Sequence, residues 1–125
     1  MIHIQHHIFN MKKFFKKLAR YVVAAYANRL YKKAVKRADE RHEKEKTMIY
    51  VTSSFFDDKH LVCCNRKEFR MMKAKLRFRH HIQTLKEGSW YHTADAIERN
   101  GLDPRDQEAR KRVFVRMLIK KAGLE

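Results

Sequence analysis

The sequence predicts an α+β fold that is mostly helical, with a long N-terminal helix, a small β-hairpin at about 47–64, and then two or three shorter helices. Three observations predict it: helical apolar spacing without Gly or Pro over 12–46, β-branched and aromatic residues within 47–64, and helix-capping residues after them. The 125 residues, 44% of them hydrophobic, suffice for one core. We therefore expect a single basic domain over 11–125, preceded by an N-terminal extension over 1–10.

The long helix is expected over about 12–46, where apolar residues recur every three or four positions for roughly nine turns. These positions are Phe15, Leu18, Val22, Tyr26, Leu30, Ala34 and Ala38. The stretch Tyr21–Ala27 is apolar on every side of the helix, so we expect it to be covered all round. At 1.5 Å per residue the helix is about 50 Å long, which exceeds the width of so small a domain. One end is therefore expected to project, or to pack against another copy or another protein.

The hairpin is expected to have strands at 47–53 and 60–64, because β-branched and aromatic side chains favour strands. The acidic residues between them fit a turn. After the hairpin, Asn65 is expected to cap a helix, with Glu68 completing a capping box. Residues 73–79 are ambiguous, since cations alternate there with apolar residues: either the helix continues, or a third strand with one cationic face begins.

Two more helices are expected after the next glycine, Gly88. One runs from near Ser89 to Arg99, and the other has Asp103 as its N-cap, Pro104 as its first residue and Gly123 at its end. We expect the last helix to have a continuous apolar face. That face consists of Ala109, Val113 and Met117, adjoined by Phe114 and Leu118.

The chain is strongly basic, because 30 Lys and Arg against 14 Asp and Glu give a net charge of +16. Residues 1–46 hold 13 basic and 4 acidic residues (+9), residues 47–82 hold 8 and 3 (+5), and residues 83–125 hold 9 and 7 (+2). A single basic stretch is most often a solvated face, but several together are typical of polyanion binding, because phosphate contacts release counterions. We therefore define three candidate nucleic-acid-binding patches. Patch one is Lys12, Lys13, Lys16, Lys17 and Arg20; patch two is Arg29, Lys32, Lys33, Lys36 and Arg37; patch three is Lys73, Lys75, Arg77 and Arg79.

Two further features could add to nucleic-acid recognition, and each has a plainer interpretation. The last helix follows a short turn and could be the recognition helix of a helix-turn-helix, with Gln107 and Arg110 among its contacts, although a plain helical hairpin is more common. Trp90, Tyr91 and His92 could stack on unpaired bases, although a Trp-Tyr pair more often belongs to the core.

The cysteine and histidine patterns do not favour a metal or catalytic centre. Cys63 and Cys64 are adjacent, which suits neither a disulfide between them nor the spacing of structural zinc ligands, so we expect free thiols in a reducing compartment. His60, His80 and His81 leave zinc as a less favoured alternative. No phosphate-binding glycine loop, nucleophile elbow or dinucleotide-binding motif is present. We expect a non-enzymatic protein without a cofactor or metal.

The leading hypothesis is a small basic protein that binds DNA or RNA, largely through sequence-independent phosphate contacts. The alternative is a structural or assembly subunit of a virion or other large complex, which contacts a protein partner or a second copy through the long helix and Tyr21–Ala27. A third hypothesis, ranked below both, is a peripheral membrane protein that inserts the side of the helix around Phe14 and Leu18 into an anionic lipid surface. We expect a cytoplasmic location or a place within an assembled particle.

Overall fold

The computed structural model describes residues 2–54, 60–76, 88–94 and 101–125. In chain order the elements are α1 (Ile2–Glu45), β1 (Tyr50–Ser53), β2 (Leu61–Cys64), α2 (Arg66–Leu76), β3 (Tyr91–His92) and α3 (Pro104–Lys121). The protein is α+β and mostly helical, with a long N-terminal helix and a small antiparallel sheet, so the expected fold class is confirmed.

Helix α1 is longer than the sequence pattern indicates. It begins at Ile2 rather than near residue 12, and its 44 residues span about 66 Å at 1.5 Å per residue. It ends at Glu45, because Lys46 takes a left-handed φ of 58° and its amide donates to the His42 carbonyl at 2.7 Å. The lack of Gly and Pro in this stretch explains its unbroken length.

Three short antiparallel strands form a sheet in the order β2-β1-β3. The expected hairpin is confirmed, and its register places Val51 opposite Cys63. Residues 55–59 of the expected turn lie outside the described residues. The sheet is small, so its stability depends on the helices that pack against it.

The prediction of a helix from Ser89 to Arg99 is wrong at its start, because this part of the segment forms the edge strand β3, which pairs with β1. Just beyond β3, the amide of Thr93 donates to the carbonyl of Ile49 at 3.0 Å. The amide of Ile49 donates in return to the hydroxyl of Thr93 at 2.8 Å, across a separation of 44 residues. Pairing with a distant strand therefore overrides the local helical preference at the start of this segment. Residues 95–99 of the segment lie outside the described part of the chain.

The core lies between one side of α1, the sheet and α3. Its buried residues are Ala27, Tyr31, Ala34 and Ala38 on α1, Ile49 and Val51 beside and on β1, Tyr91 on β3, and Phe114 and Leu118 on α3. Small alanines let the sheet and α3 approach the helix axis closely. Tyr31 is 1% exposed, and its hydroxyl donates to the carbonyl of Trp90 at 2.6 Å, so its one polar group is satisfied.

Helix α2 begins at the expected capping box. The Oδ1 atom of Asn65 accepts from the amide of Glu68 at 2.8 Å, and a carboxylate oxygen of Glu68 accepts from the amide of Asn65 at 3.1 Å. Phe69 then anchors the helix against the sheet. The helix continues to Leu76, so the helical alternative is confirmed for the first part of 73–79.

Both ends of α3 carry the expected caps. The Oδ1 atom of Asp103 accepts from the amide of Arg105 at 3.1 Å, and Pro104 is the first helical residue. At the other end Gly123 has a φ of 72°. The amide of Leu124 donates back into the last turn at 3.1 Å, which is the bonding of a Schellman motif.

The buried face of α3 is rotated from the expected one. Phe114 and Leu118 are 0% and 5% exposed, whereas Val113 is 54% exposed. The ring of Phe114 packs against those of Tyr31 and Trp90, with centroid distances of 6.2 and 5.4 Å. The larger side chains bury more apolar area than alanine and valine do, so this orientation is favoured once the aromatic partners are in place.

Candidate nucleic-acid interface

Helix α1 reverses its apolar side near its middle. From Ala27 onward the buried residues face the core. Before it, the large apolar residues over 11–26 lie on the other side: at about 100° per residue, their mean direction is about 180° from that of Tyr31 and Ala38. We call the side of α1 opposite the core the outward face. The outward face is therefore apolar over 11–26.

The apolar residues of the outward face are strongly exposed, and we call them the apolar strip. They are Met11 (46%), Phe14 (63%), Phe15 (57%), Leu18 (49%), Tyr21 (73%), Val22 (58%) and Tyr26 (53%). The expectation that Tyr21–Ala27 is covered all round is wrong within this chain. Core residues of α3 and the sheet reach α1 from one side only, so they cover Ala27 and leave Tyr21 in solvent.

Patch two occupies the outward face directly after the apolar strip. All five of its side chains are exposed, and none takes part in a salt bridge among the described residues. Their spacing keeps them within an arc of about 140°, over a rise of about 12 Å. Glu40 and Glu43 follow on the same side of the helix and mark the end of the cationic surface.

Patch one is exposed as well, but it lies on the opposite side of α1. Lys13, Lys16 and Arg20 have about the same direction around the helix as Ala27 and Ala38, in a part of α1 that precedes the buried core positions. The structure therefore does not join patches one and two into one surface.

Patch three is carried partly by α2, which includes Lys73 and Lys75, while Arg77 and Arg79 lie outside the described residues. The same helix exposes three more cations that sequence reasoning did not single out. They are Arg66, Lys67 and Arg70. The signal in the sequence is their helical spacing at the start of α2, directly after the capping residue Asn65.

A cleft of about 700 Å³ between α1 and α3 gathers cations that are far apart in sequence. Arg20 of patch one lies there with Arg112 and Arg116 of α3. Glu108 lines the same cleft, 3.0 Å from the Lys111 ammonium and 3.7 Å from the Arg112 guanidinium. This internal pairing offsets part of the positive charge, so the cleft is a weaker site for a polyanion than patch two.

Arg41 is a cation of α1 that the fold itself uses. Its guanidinium donates to Glu45 at 2.6 Å, to the carbonyl of Cys63 at 3.1 Å, and to Glu68. Hydrogen bonding to Glu45 is the main cause that raises the pKa of Arg41 above its ordinary value. These bonds tie α1 to β2 and to the start of α2, which holds patch two in a fixed orientation relative to the domain.

The rings considered for base stacking lie in the core. Tyr91 is 8% exposed, and its hydroxyl donates to Asp39 at 2.6 Å. Burial first, and then this bond, raises the pKa of Tyr91 above its ordinary value. Trp90 packs against Phe114, and its indole nitrogen donates to the hydroxyl of Ser53 at 2.9 Å. The core interpretation of this aromatic pair is confirmed.

One side of the first half of α3 packs against the domain, and Gln107 and Arg110 are half-buried on that side. The guanidinium of Arg110 donates to the carbonyl of Ser89 at 2.7 Å. The backbone carbonyl of Gln107 accepts from the hydroxyl of Tyr31 at 3.3 Å. A recognition helix needs these positions on an accessible surface, so the plain packing interpretation of α3 is favoured.

The two cysteines are free thiols, and the Sγ atom of Cys63 donates to the carbonyl of Ala34 at 3.4 Å. Burial raises the pKa of Cys64 to about 11, and it raises that of Cys63 as well. Within the described ranges, no group of three His, Cys, Asp or Glu side chains is placed to hold a metal ion; His80 and His81 lie outside them. No helix in this part of the chain is both long and apolar enough to cross a membrane.

The outward face of α1 thus presents two surfaces in succession, the apolar strip and patch two. Both belong to one unbroken helix, whose other side is held by the core from Ala27 onward. Comparison with protein-family models, curated proteins and solved structures found no match for this chain.

Proposed function

We propose that this protein binds nucleic acid, either DNA or RNA, through phosphate contacts that do not depend on base sequence. The observation that carries the proposal is patch two: five exposed cations along about 12 Å of one helix side, none of them in a salt bridge among the described residues. The helix holds their backbone positions before a ligand arrives, which reduces the ordering required on binding.

The charge around patch two also supports a polyanionic ligand. No Asp or Glu precedes Asp39 in the sequence, so all the charged side chains in the earlier part of α1 are cations. Each phosphate that a Lys or Arg neutralises releases condensed counterions, which gives a steep dependence on salt. With about four such contacts, the affinity should fall by about a hundredfold between about 50 and 200 mM salt.

Sequence-independent binding is favoured over base readout. Three of the five cations of patch two are Lys, which act as point charges toward phosphate and lack the rigid donor fork of Arg. Arg110, which a recognition helix would offer to bases, is bonded to Ser89 instead. The exposed charge therefore suits a sugar-phosphate backbone.

An assembly role is favoured only by the apolar strip, which is a separate observation. Pairing with a second copy would bring together two N-terminal segments of +9 each. Since neither segment has an acidic residue before Asp39, the part of α1 that carries the strip has no negative charge of its own to offset that repulsion. We therefore place nucleic-acid binding ahead of self-assembly.

The proposal is tested by fluorescence anisotropy with a labelled duplex and labelled single strands of about 20 nucleotides, near 50 mM salt. The variant K32E/K33E/K36E reverses three charges of patch two. The matched control R105E/K120E/K121E makes the same charge change on exposed positions of α3 outside the cleft. Far-UV circular dichroism checks that both variants remain folded.

We expect the patch-two variant to bind at least about tenfold more weakly than the wild type, and the control to lose less than about threefold. Equal losses in both variants would show that only net charge matters. Absence of binding by the wild type at low salt would refute the proposal itself.

A further inference from the structure

We propose that the apolar strip inserts into the interface of an anionic lipid bilayer, with α1 lying along the membrane surface. The seven side chains of the strip are 46–73% exposed. At about 200 Å² per large side chain, their exposed fractions amount to roughly 800 Å² along one side of the helix, more than the largest apolar patch of a typical soluble monomer. This inference does not rest on nucleic-acid binding, because the inserted residues are those of the strip.

The strip has the geometry of an interfacial helix. Its residues fall within an arc of about 140° along about 22 Å of helix, and the opposite side over the same residues carries patch one. An apolar side backed by a Lys-rich polar side is the arrangement of helices that lie in the plane of a membrane surface. Phe14 and Phe15 meet edge to face near the N-terminal end, with ring centroids 5.9 Å apart.

The described part of the domain leaves the strip open to a flat surface. The core residues of α1, such as Tyr31 and Ala38, point about 180° away from the strip, so the sheet and α3 pack on the far side of the helix. Patch two continues the outward face beyond Tyr26. When the strip is inserted, the cations of patch two therefore point toward the headgroups.

Charge favours an anionic lipid over the other occupants. Lys and Arg side chains beside a membrane are attracted by the negative surface potential of anionic lipids. The strip is bordered on its own side of α1 by patch two and backed by patch one, with no acidic residue before Asp39. A second copy would add the same positive charge, and a neutral bilayer would leave it without a counter-charge.

The test is co-sedimentation of the full chain with vesicles of phosphatidylcholine and phosphatidylglycerol in a three-to-one ratio, and with vesicles of phosphatidylcholine alone. The variant F14Q/F15Q/L18Q removes three of the strip's seven large side chains and keeps a good helix former at each position. The matched control M71Q/V113Q changes apolar residues that are 55% and 54% exposed on α2 and α3. A third variant, L18W, reports insertion by a blue shift of its emission.

We expect the wild type to bind the anionic vesicles, the strip variant to lose at least about thirtyfold in partition coefficient, and the control to change less than about threefold. L18W should shift to the blue with anionic vesicles only. The strip variant should keep its oligonucleotide affinity, which separates this test from that of the proposed function.

Three results would overturn the inference. The wild type could fail to sediment with anionic vesicles. The strip variant could bind them as tightly as the wild type, which would indicate adsorption by charge alone. Sedimentation velocity could show a strip-dependent dimer without vesicle binding, which would assign the strip to a second copy.

Discussion

Truncation to alanine should lower the free energy of unfolding strongly at one phenylalanine of this chain and hardly at all at another. Phe114 of α3 is 0% exposed and packs against the rings of Tyr31 and Trp90. Phe14 of α1 is 63% exposed on the apolar strip. Phe114→Ala leaves a cavity in the core, whereas Phe14→Ala removes surface that is already largely in water. The pair therefore tests which side of α1 the core occupies.

The size of the difference follows from burial. A fully buried Phe→Ala change costs about 3–5 kcal/mol, because both the transfer free energy and the packing around the side chain are lost. That cost is a large part of the free energy of unfolding of a domain, which is about 5–15 kcal/mol. Phe14→Ala should change the free energy of unfolding by less than about 0.5 kcal/mol, since exposed substitutions seldom do more.

The assay is urea unfolding followed by far-UV circular dichroism. With an m-value of about 2 kcal/mol per molar urea, Phe114→Ala should lower the midpoint by about 2 M, and Phe14→Ala should leave it nearly unchanged. A similar loss in both variants would refute the reversal of the apolar side of α1. A loss below about 1 kcal/mol for Phe114→Ala would refute the placement of the core.

Three further predictions concern single contacts. Tyr91→Phe removes the hydrogen bond to Asp39 and should lower the free energy of unfolding by about 1 kcal/mol in the same titration; an unchanged value would contradict the bond. Burial raises the pKa of Cys64 from 9.0 to about 11, so near pH 8 the thiolate is about a hundredfold scarcer in the folded than in the unfolded chain. Iodoacetamide should therefore label Cys64 slowly in buffer and quickly in urea, as measured by mass spectrometry. Equal labelling rates in buffer and in urea would contradict the burial of Cys64. The same pKa shift lowers the free energy of unfolding as pH rises from about 9 toward 11, since the unfolded chain loses this proton first. Gly123→Ala places a Cβ at a φ of 72° and should lower the free energy of unfolding by about 1 kcal/mol, measured by thermal denaturation, and an unchanged melting temperature would argue against the left-handed cap.

The parts of the fold that could be predicted from sequence depend on near neighbours. The capping box joins Asn65 to Glu68, and the start of α3 joins Asp103 to Arg105, so each contact lies within three residues. The long helix is similarly local, because an unbroken run of good helix formers needs no distant partner to define its period.

The parts that could not be predicted depend on distant partners. Strand β3 exists because β1 offers it hydrogen bonds, such as the pair between Ile49 and Thr93 that spans 44 residues. The orientation of α3 depends on Tyr31 and Trp90, whose rings select Phe114 over its neighbour Val113. Neither partner can be identified from the periodicity of the segment itself.

The sequence predicted which cations of the candidate site lie together, but it did not predict which side of α1 faces away from the core. Helical spacing placed the members of patch two on one side, but the expected apolar stripe combined two different sides of α1. A spacing of four residues advances around a helix by about 40° at each step, so the stripe from Phe15 to Ala38 winds about 140° around α1. Only the packing of the sheet and α3 shows where the core ends and the exposed strip begins.

The most direct test of the central claim, that patch two is the nucleic-acid contact, is lysine acetylation footprinting of the wild-type protein. A saturating duplex of about 20 base pairs is added near 50 mM salt, and acetylation of each lysine is measured by mass spectrometry. We predict that Lys32, Lys33 and Lys36 are protected at least about fivefold, while the exposed Lys120 of α3 is acetylated at an unchanged rate. Equal protection of Lys120, or no protection of the patch-two lysines while the duplex is bound, would contradict the claim.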